Sequence, residues 1–324
     1  MNILSLFNAM PGAVAQGLIW GIMAIGVYIT YRILDFADLT VDGSLCTGGA
    51  VCIMMMLSGH NVYVSMLVAT LAGMLTGLVT GIFHTFMGIP PILSGILTQL
   101  SLYSINLKIM GKANQAINVD KYDLLISLRY IKNTNIFENT IFIVAIIIVL
   151  LVLLLYWFFG TEIGCALRAT GCNGNMARAQ GINTNFAKVL ALMISNGLVG
   201  MSGALLAQYQ GFADINMGRG AIVIGLAAVI VGEAVFSRIF HNFGFKLIGV
   251  ACGSIIYYVV LQVVIWMGID TDLLKLLSAL VVAIFLALPY WKNRYAKQIT
   301  AFKKKVAGFF RRIFKSKKGG SANA

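Results

Sequence analysis

The chain has 324 residues, of which 59% are apolar and only 11% charged, with a formal net charge of +13. Soluble domains carry about 25% charged residues, so a mean hydropathy of +0.88 excludes an ordinary soluble enzyme or nucleic-acid-binding domain and implies a membrane protein. The excess positive charge is concentrated at one end: eleven of the 24 Lys and Arg residues follow Tyr290.

Nine spans are predicted in chain order, at roughly Gly12–Tyr31, Asp42–Ser58, Val62–Met87, Pro91–Met110, Asn139–Phe159, Ala187–Tyr209, Gly220–Phe236, Phe243–Met267 and Asp272–Tyr290. No Asp, Glu, Lys or Arg stands between Asp42 and Lys108, room for about three crossings at roughly 20 residues each. The run Ile141–Phe159 is apolar on every face, which fits a helix rather than the alternating pattern of a barrel strand. The expected class is therefore an all-α polytopic membrane protein. The start of the chain, MNILSLFNAMPG, has no basic segment of the kind that opens a cleavable signal.

Basic residues near span ends set orientation. The tail 291–324 is placed in the cytoplasm, as are the segment Gly160–Asn185 with Arg168 and Arg178 and the short loop with Arg238. Nine spans then put the N-terminus outside. The segment Gly111–Glu138, with Lys112, Lys121, Arg129 and Lys132, falls outside as well; it is long and also holds Asp120, Asp123 and Glu138. The tail reads as a topology anchor, or as an amphipathic helix on the inner leaflet.

Two segments resemble each other. Phe36-Ala37-Asp38-Leu39-Thr40-Val41 recurs as Phe212-Ala213-Asp214-Ile215-Asn216-Met217, each before one of the two short spans. The first follows a span running inward and the second a span running outward, so the copies are inverted, repeat one covering about 12–110 and repeat two about 187–290. Matching interrupted segments in inverted repeats point to a transporter's substrate route. Asp38, Thr40, Asp42, Ser44, Asp214 and Asn216 are too polar to face lipid; they either cap half-helices or line that route. Gly73, Gly77 and Gly81 share one face of the third span and suit close helix packing.

The segment after the fifth span is the most specific. Asn173 or Asn175 can cap a short helix over Met176–Gln180, which Gly181 can close in the left-handed conformation. One or two turns are too short to stand alone, so the helix needs a docking partner. Gly111-Lys112 is not part of a phosphate-binding loop, because no glycine stands five residues earlier and no Ser or Thr follows. No nucleophile or metal-ligating constellation is seen, so no catalytic residue, metal or cofactor is expected.

The FADLTVDGS segment, the loop Gly164-Cys-Ala-Leu-Arg168-Ala-Thr-Gly171 and the stretch Ala177-Arg-Ala-Gln-Gly-Ile-Asn183 resemble ABC importer permeases of the branched-chain amino-acid and ribose-type superfamily. The likeness covers most of the chain and is nearest the single-permease branch linked to tryptophan or tyrosine uptake. The resemblance implies a permease domain over 1–290, with an ATPase-coupling loop at 160–185. It places Met176, Ala177, Ala179 and Gly181 in the docking helix, and Glu162 and Arg168 at its membrane-side base. Thr170, Gly171, Asn173 and Arg178 complete the coupling set. It further implies a bacterial plasma-membrane location, a small polar solute of the amino-acid type, and ATP hydrolysis on a separate ATPase subunit. The other implied partners are an extracellular substrate-binding lipoprotein, a second permease copy forming a homodimer, and membrane lipid. Glu233 departs from the branched-chain pattern; Arg238 or a partner helix is its expected counter-ion. The rival reading is an ion-coupled secondary transporter on the same repeat.

Overall fold

The computed structural model describes residues 3–119, 121–122, 124–132, 139–236 and 242–268, with single residues or short runs between 273 and 290. The chain divides into a unit over Met1–Ser278 and a second over Ala279–Ala324. In the second unit, 279–280 and 282–284 are helical. Most of the ninth expected span, all of the basic tail, and Arg238 lie outside the described residues.

The helices are α1 (Ile3–Tyr28), α2 (Val41–Leu57), α3 (Val62–Thr85), α4 (Pro91–Met110), α5 (Thr140–Gly160), α6 (Glu162–Cys172), α7 (Gly174–Ala179), α8 (Thr184–Gln210), α9 (Ala221–Phe236) and α10 (Phe243–Trp266). Eight of the expected spans are thus helical, with ends displaced by a few residues. The largest displacement is at α1, which begins before Gly12. Among the described residues, five helices are long and apolar enough to cross a membrane, and α2 and α9 are shorter apolar helices.

Local chemistry sets the ends. Asn61, Asn139 and Asn183 cap α3, α5 and α8 by accepting from Tyr63, Ile141 and Phe186 amides. Pro91 opens α4, where a missing N–H costs nothing. Gly111 and Gly211 close α4 and α8 at φ 71° and 78°, a conformation that only glycine adopts cheaply. One feature was not expected: the long segment after α4 contributes strand β1 (Asn114–Ala116), which pairs antiparallel with β2 (Phe212–Asp214). The second FAD copy is therefore partly strand.

At the centre, α1 and α8 run antiparallel. Hydroxyls of α8 donate to carbonyls of α1 along the seam: Tyr209 to Gly12 at 3.4 Å, Ser202 to Ile19 at 2.8 Å and Ser195 to Gly26 at 2.8 Å. Around this pair, α8 packs on α2 and α3 while α1 packs on α9 and α10. The glycine row of α3 meets α8 backbone: a Cβ on Gly73 or Gly77 would collide with the carbonyl of Asn196 or Leu192. Gly232 and Gly253 do the same between α9 and α10. Lipid offers no hydrophobic drive for helices to associate, so such close backbone approach supplies the cohesion.

Candidate functional site

The first break lies between α1 and α2. The helix widens into a π turn at Ile29–Ile33, Asp35 takes φ 55°, and the chain re-enters a helix at Val41. Asp38 is 1% exposed. Its Oδ1 accepts from the Thr40 amide at 2.9 Å and its Oδ2 from Asn196 Nδ2 at 2.7 Å. Ser44 donates to Asn196 Oδ1 at 2.6 Å and lies 2.6 Å from the Thr76 hydroxyl. Thr40 meets Thr80 at 2.7 Å, and Thr80 donates to Thr98 at 2.9 Å. Asp38, Thr40 and Ser44 therefore belong to one buried network joining α2, α3, α4 and α8. Burying a carboxylate is costly unless its lone pairs are satisfied, and here amide, side-chain amide and hydroxyl groups do that.

The second break repeats the first locally. Asp214 Oδ1 accepts from the Asn216 amide at 2.7 Å, the same two-residue turn that Asp38 makes with Thr40. Asp214 Oδ2 accepts from Asn114 on β1 at 3.3 Å. Asp214 is half-buried and Asn216 exposed. The two breaks also meet. Asp42, in the first turn of α2, accepts from the amides of Gly220 and Ile222, both at 2.9 Å, so a residue of the first copy caps the helix that follows the second. Gly218 lies against the Asp42 carbonyl, where a Cβ would not fit.

Residues 160–185 form a helical arm rather than a loop. Thr161 caps α6 through the Gly164 amide at 3.3 Å, and Glu162 follows in the first turn, where a carboxylate complements the helix dipole. Asn173, and not Asn175, caps α7 through the Met176 amide at 3.1 Å. Gly181 closes it at φ 81°. Arg168 donates to the Phe159 carbonyl at 2.9 Å, and Arg178 to the Thr184 hydroxyl at 2.8 Å. Thr170 is buried and donates to the Ala166 carbonyl at 2.8 Å. Met176 is 64% exposed and Ala177 only 4%, so Met176 stands at the arm's surface with Ala179 and Ala177 holds α7 to the body. Gly171 rests on the Ile33 carbonyl, so the arm bears directly on the turn that precedes Asp38.

Several participants were missed in the sequence. Asn196, Thr76, Thr80 and Thr98 complete the network; their only signal was a polar group inside an apolar run. Among the described residues the partner of Glu233 is Arg32 on the π turn, at 3.0 Å; Arg238, the expected counter-ion, lies outside them. Lys188 Nζ lies 3.1 Å from His84 Nε2.

The model of the family "Branched-chain amino acid transport system / permease component" matches residues 10–287. The chain is 40% identical over 272 residues to a tyrosine transport system permease protein of Clostridioides difficile (strain R20291), covering 84% of this chain and 88% of that one. It is 27% identical over 217 residues to the autoinducer 2 import system permease protein LsrC of Yersinia pseudotuberculosis, covering 65% and 58%. In fold it is similar to a chain of PsaBC from Streptococcus pneumoniae in complex with Fab, with a TM-score of 0.53, 16% identity, and coverage of 92% and 99%. This chain is a multi-pass membrane protein that belongs to the family of branched-chain amino acid transport system permease components.

Proposed function

We propose that the chain is the membrane subunit of an ATP-driven importer for an amino acid, working as a homodimer with two ATPase subunits and an extracellular binding lipoprotein. The observation that carries the reading is the arm α6–α7. It presents Met176 outward and rests Gly171 on the Ile33 carbonyl, so a push on α7 would be delivered to the turn before Asp38. The amino-acid substrate follows the tyrosine transport relative. The nine-span scheme, with the N-terminus outside and the C-terminus cytoplasmic, puts the arm where ATP is available and the β-ribbon on the lipoprotein's side.

The inverted repeat is supported by the antiparallel seam of α1 and α8, by the exchanged packing around it, and by the matching turns at Asp38 and Asp214. In this reading Asp42, Asp214 and Asn216 flank the substrate route, while Asp38, Thr40 and Ser44 hold its wall through Asn196. A cysteine placed at Met176 should cross-link to the ATPase subunit in membranes, and one at the buried Ala177 should do so weakly. Uptake undiminished after deletion of the ATPase gene would sink the proposal.

A second reading, a secondary transporter driven by an ion gradient, draws on one observation. Asp38 is a buried carboxylate with no cationic partner among the described residues. It requires substrate flux from the purified chain alone in liposomes.

A further inference from the structure

The α5–α6 junction holds a recess that the transport reading does not use. It has a volume of about 560 Å³ and is lined by Tyr156, Trp157, Phe159, Thr161, Arg168 and Asn242, among others. Its floor is built: the rings of Phe159 and Phe243 stand 4.9 Å apart, and Gly244 leaves room for Tyr156, whose Cδ2 would lie 3.2 Å from any added Cβ. Its position is set by the membrane. α5 is long and apolar enough to cross the bilayer, and Leu150, Leu153, Leu154 and Trp157 share one exposed face. That stripe runs straight into the recess, where Trp157 is 71% and Tyr156 55% exposed. Trp and Tyr at the end of an apolar helix mark the headgroup level.

The recess also carries positive charge. Arg168 uses Nη2 for the Phe159 carbonyl and the Cys165 sulfur. Its Nε and Nη1 hydrogens meet no acceptor among the described residues. Asn242 makes no side-chain bond to the α10 terminus it precedes, leaving its amide available. A guanidinium with free donors matches phosphate geometry, and an aromatic wall continuous with a lipid-facing stripe matches an acyl chain.

The geometry points to a binding site for an anionic glycerophospholipid, its phosphate on Arg168 and Asn242 and its chains along Trp157 and the leucine stripe of α5. Because Arg168 also ties α6 to the end of α5, the bound lipid sits at the hinge on which the arm moves.

The test is native mass spectrometry of the full-length detergent-purified chain, titrated with phosphatidylglycerol, phosphatidylcholine or inorganic phosphate. Phosphatidylglycerol is expected to be retained in preference to phosphatidylcholine, and inorganic phosphate is expected not to displace it. Arg168→Gln should weaken retention about fivefold, the effect of losing one interfacial basic residue. Since Arg168 also ties down the Phe159 carbonyl, Asn242→Asp is the second variant; it spares that bond, sets a carboxylate against the phosphate, and should weaken retention at least as much. The basic tail is unchanged in every variant, so its own lipid binding cancels. Equal retention of the two lipids, unchanged retention in Asn242→Asp, or displacement by inorganic phosphate would overturn the assignment.

Discussion

Asn196 decides more of the interior than any acidic residue near it. Its amide group donates to Asp38 and to the Leu192 carbonyl, and its oxygen accepts from Ser44. Replacing it with Leu keeps the branched shape and strands Asp38 Oδ2, while the Ser44 hydroxyl loses one partner and keeps Thr40 and Thr76. Leaving a buried polar group unsatisfied costs about 1–3 kcal/mol, more for a charged one. Asn196→Leu should therefore lower the melting temperature of the purified chain clearly more than Thr98→Val, which removes one terminal hydroxyl of the same network. Equal shifts would show that Asp38 does not depend on Asn196. The Arg32–Glu233 pair is different in kind: its side chains are 60% and 34% exposed, and such pairs contribute about 0–1 kcal/mol. Its interest is its place, tying α9 to the π turn that Gly171 touches.

Among the elements, the α6–α7 arm is the part whose shape and proposed use are most closely joined. α7 has six residues, too few to be stable in isolation; it is held by the Asn173 cap, the Gly181 turn and the buried Ala177. In the proposed mechanism α6 would transmit its position through Gly171, which lies on the backbone of Ile33 and Leu34. Gly171→Val should cost about 1–3 kcal/mol through overpacking and abolish uptake with the protein still present in membranes. Gly174→Ala, at a position with open space around it, is the control and should leave uptake and melting temperature unchanged. If Gly171→Val transports normally, the arm does not act through the π turn.

For the molecule as a whole, the proposed topology puts the arm and the β-ribbon on opposite sides of the membrane. In the structure they lie at opposite ends of α8, the arm before Thr184 and the ribbon after Gln210. Cys165 and Cys172 are exposed on α6. An impermeant thiol reagent should label them in inverted vesicles and not in intact cells. A cysteine placed at the exposed Asn114, in a chain with Cys165 and Cys172 removed, should show the reverse. Labelling of both sites from the same side would overturn the topology.

Membrane residence, the positions of eight helical spans, the Asn and Gly ends of α7 and the glycine row of α3 were legible in the sequence, because each rests on local composition or on a spacing within one helix. Uncharged runs of span length have few other fates, and an Asn or Gly at a helix end acts on its own neighbours. What only the tertiary structure decided is which polar groups meet. Asp38 finds Asn196 across 158 residues and Asp42 finds Gly220 across 178, while β1 pairs with a strand about a hundred residues later. No periodicity encodes such partners. They are selected when the helices pack against one another, where buried polar groups must satisfy each other because the bilayer offers them nothing.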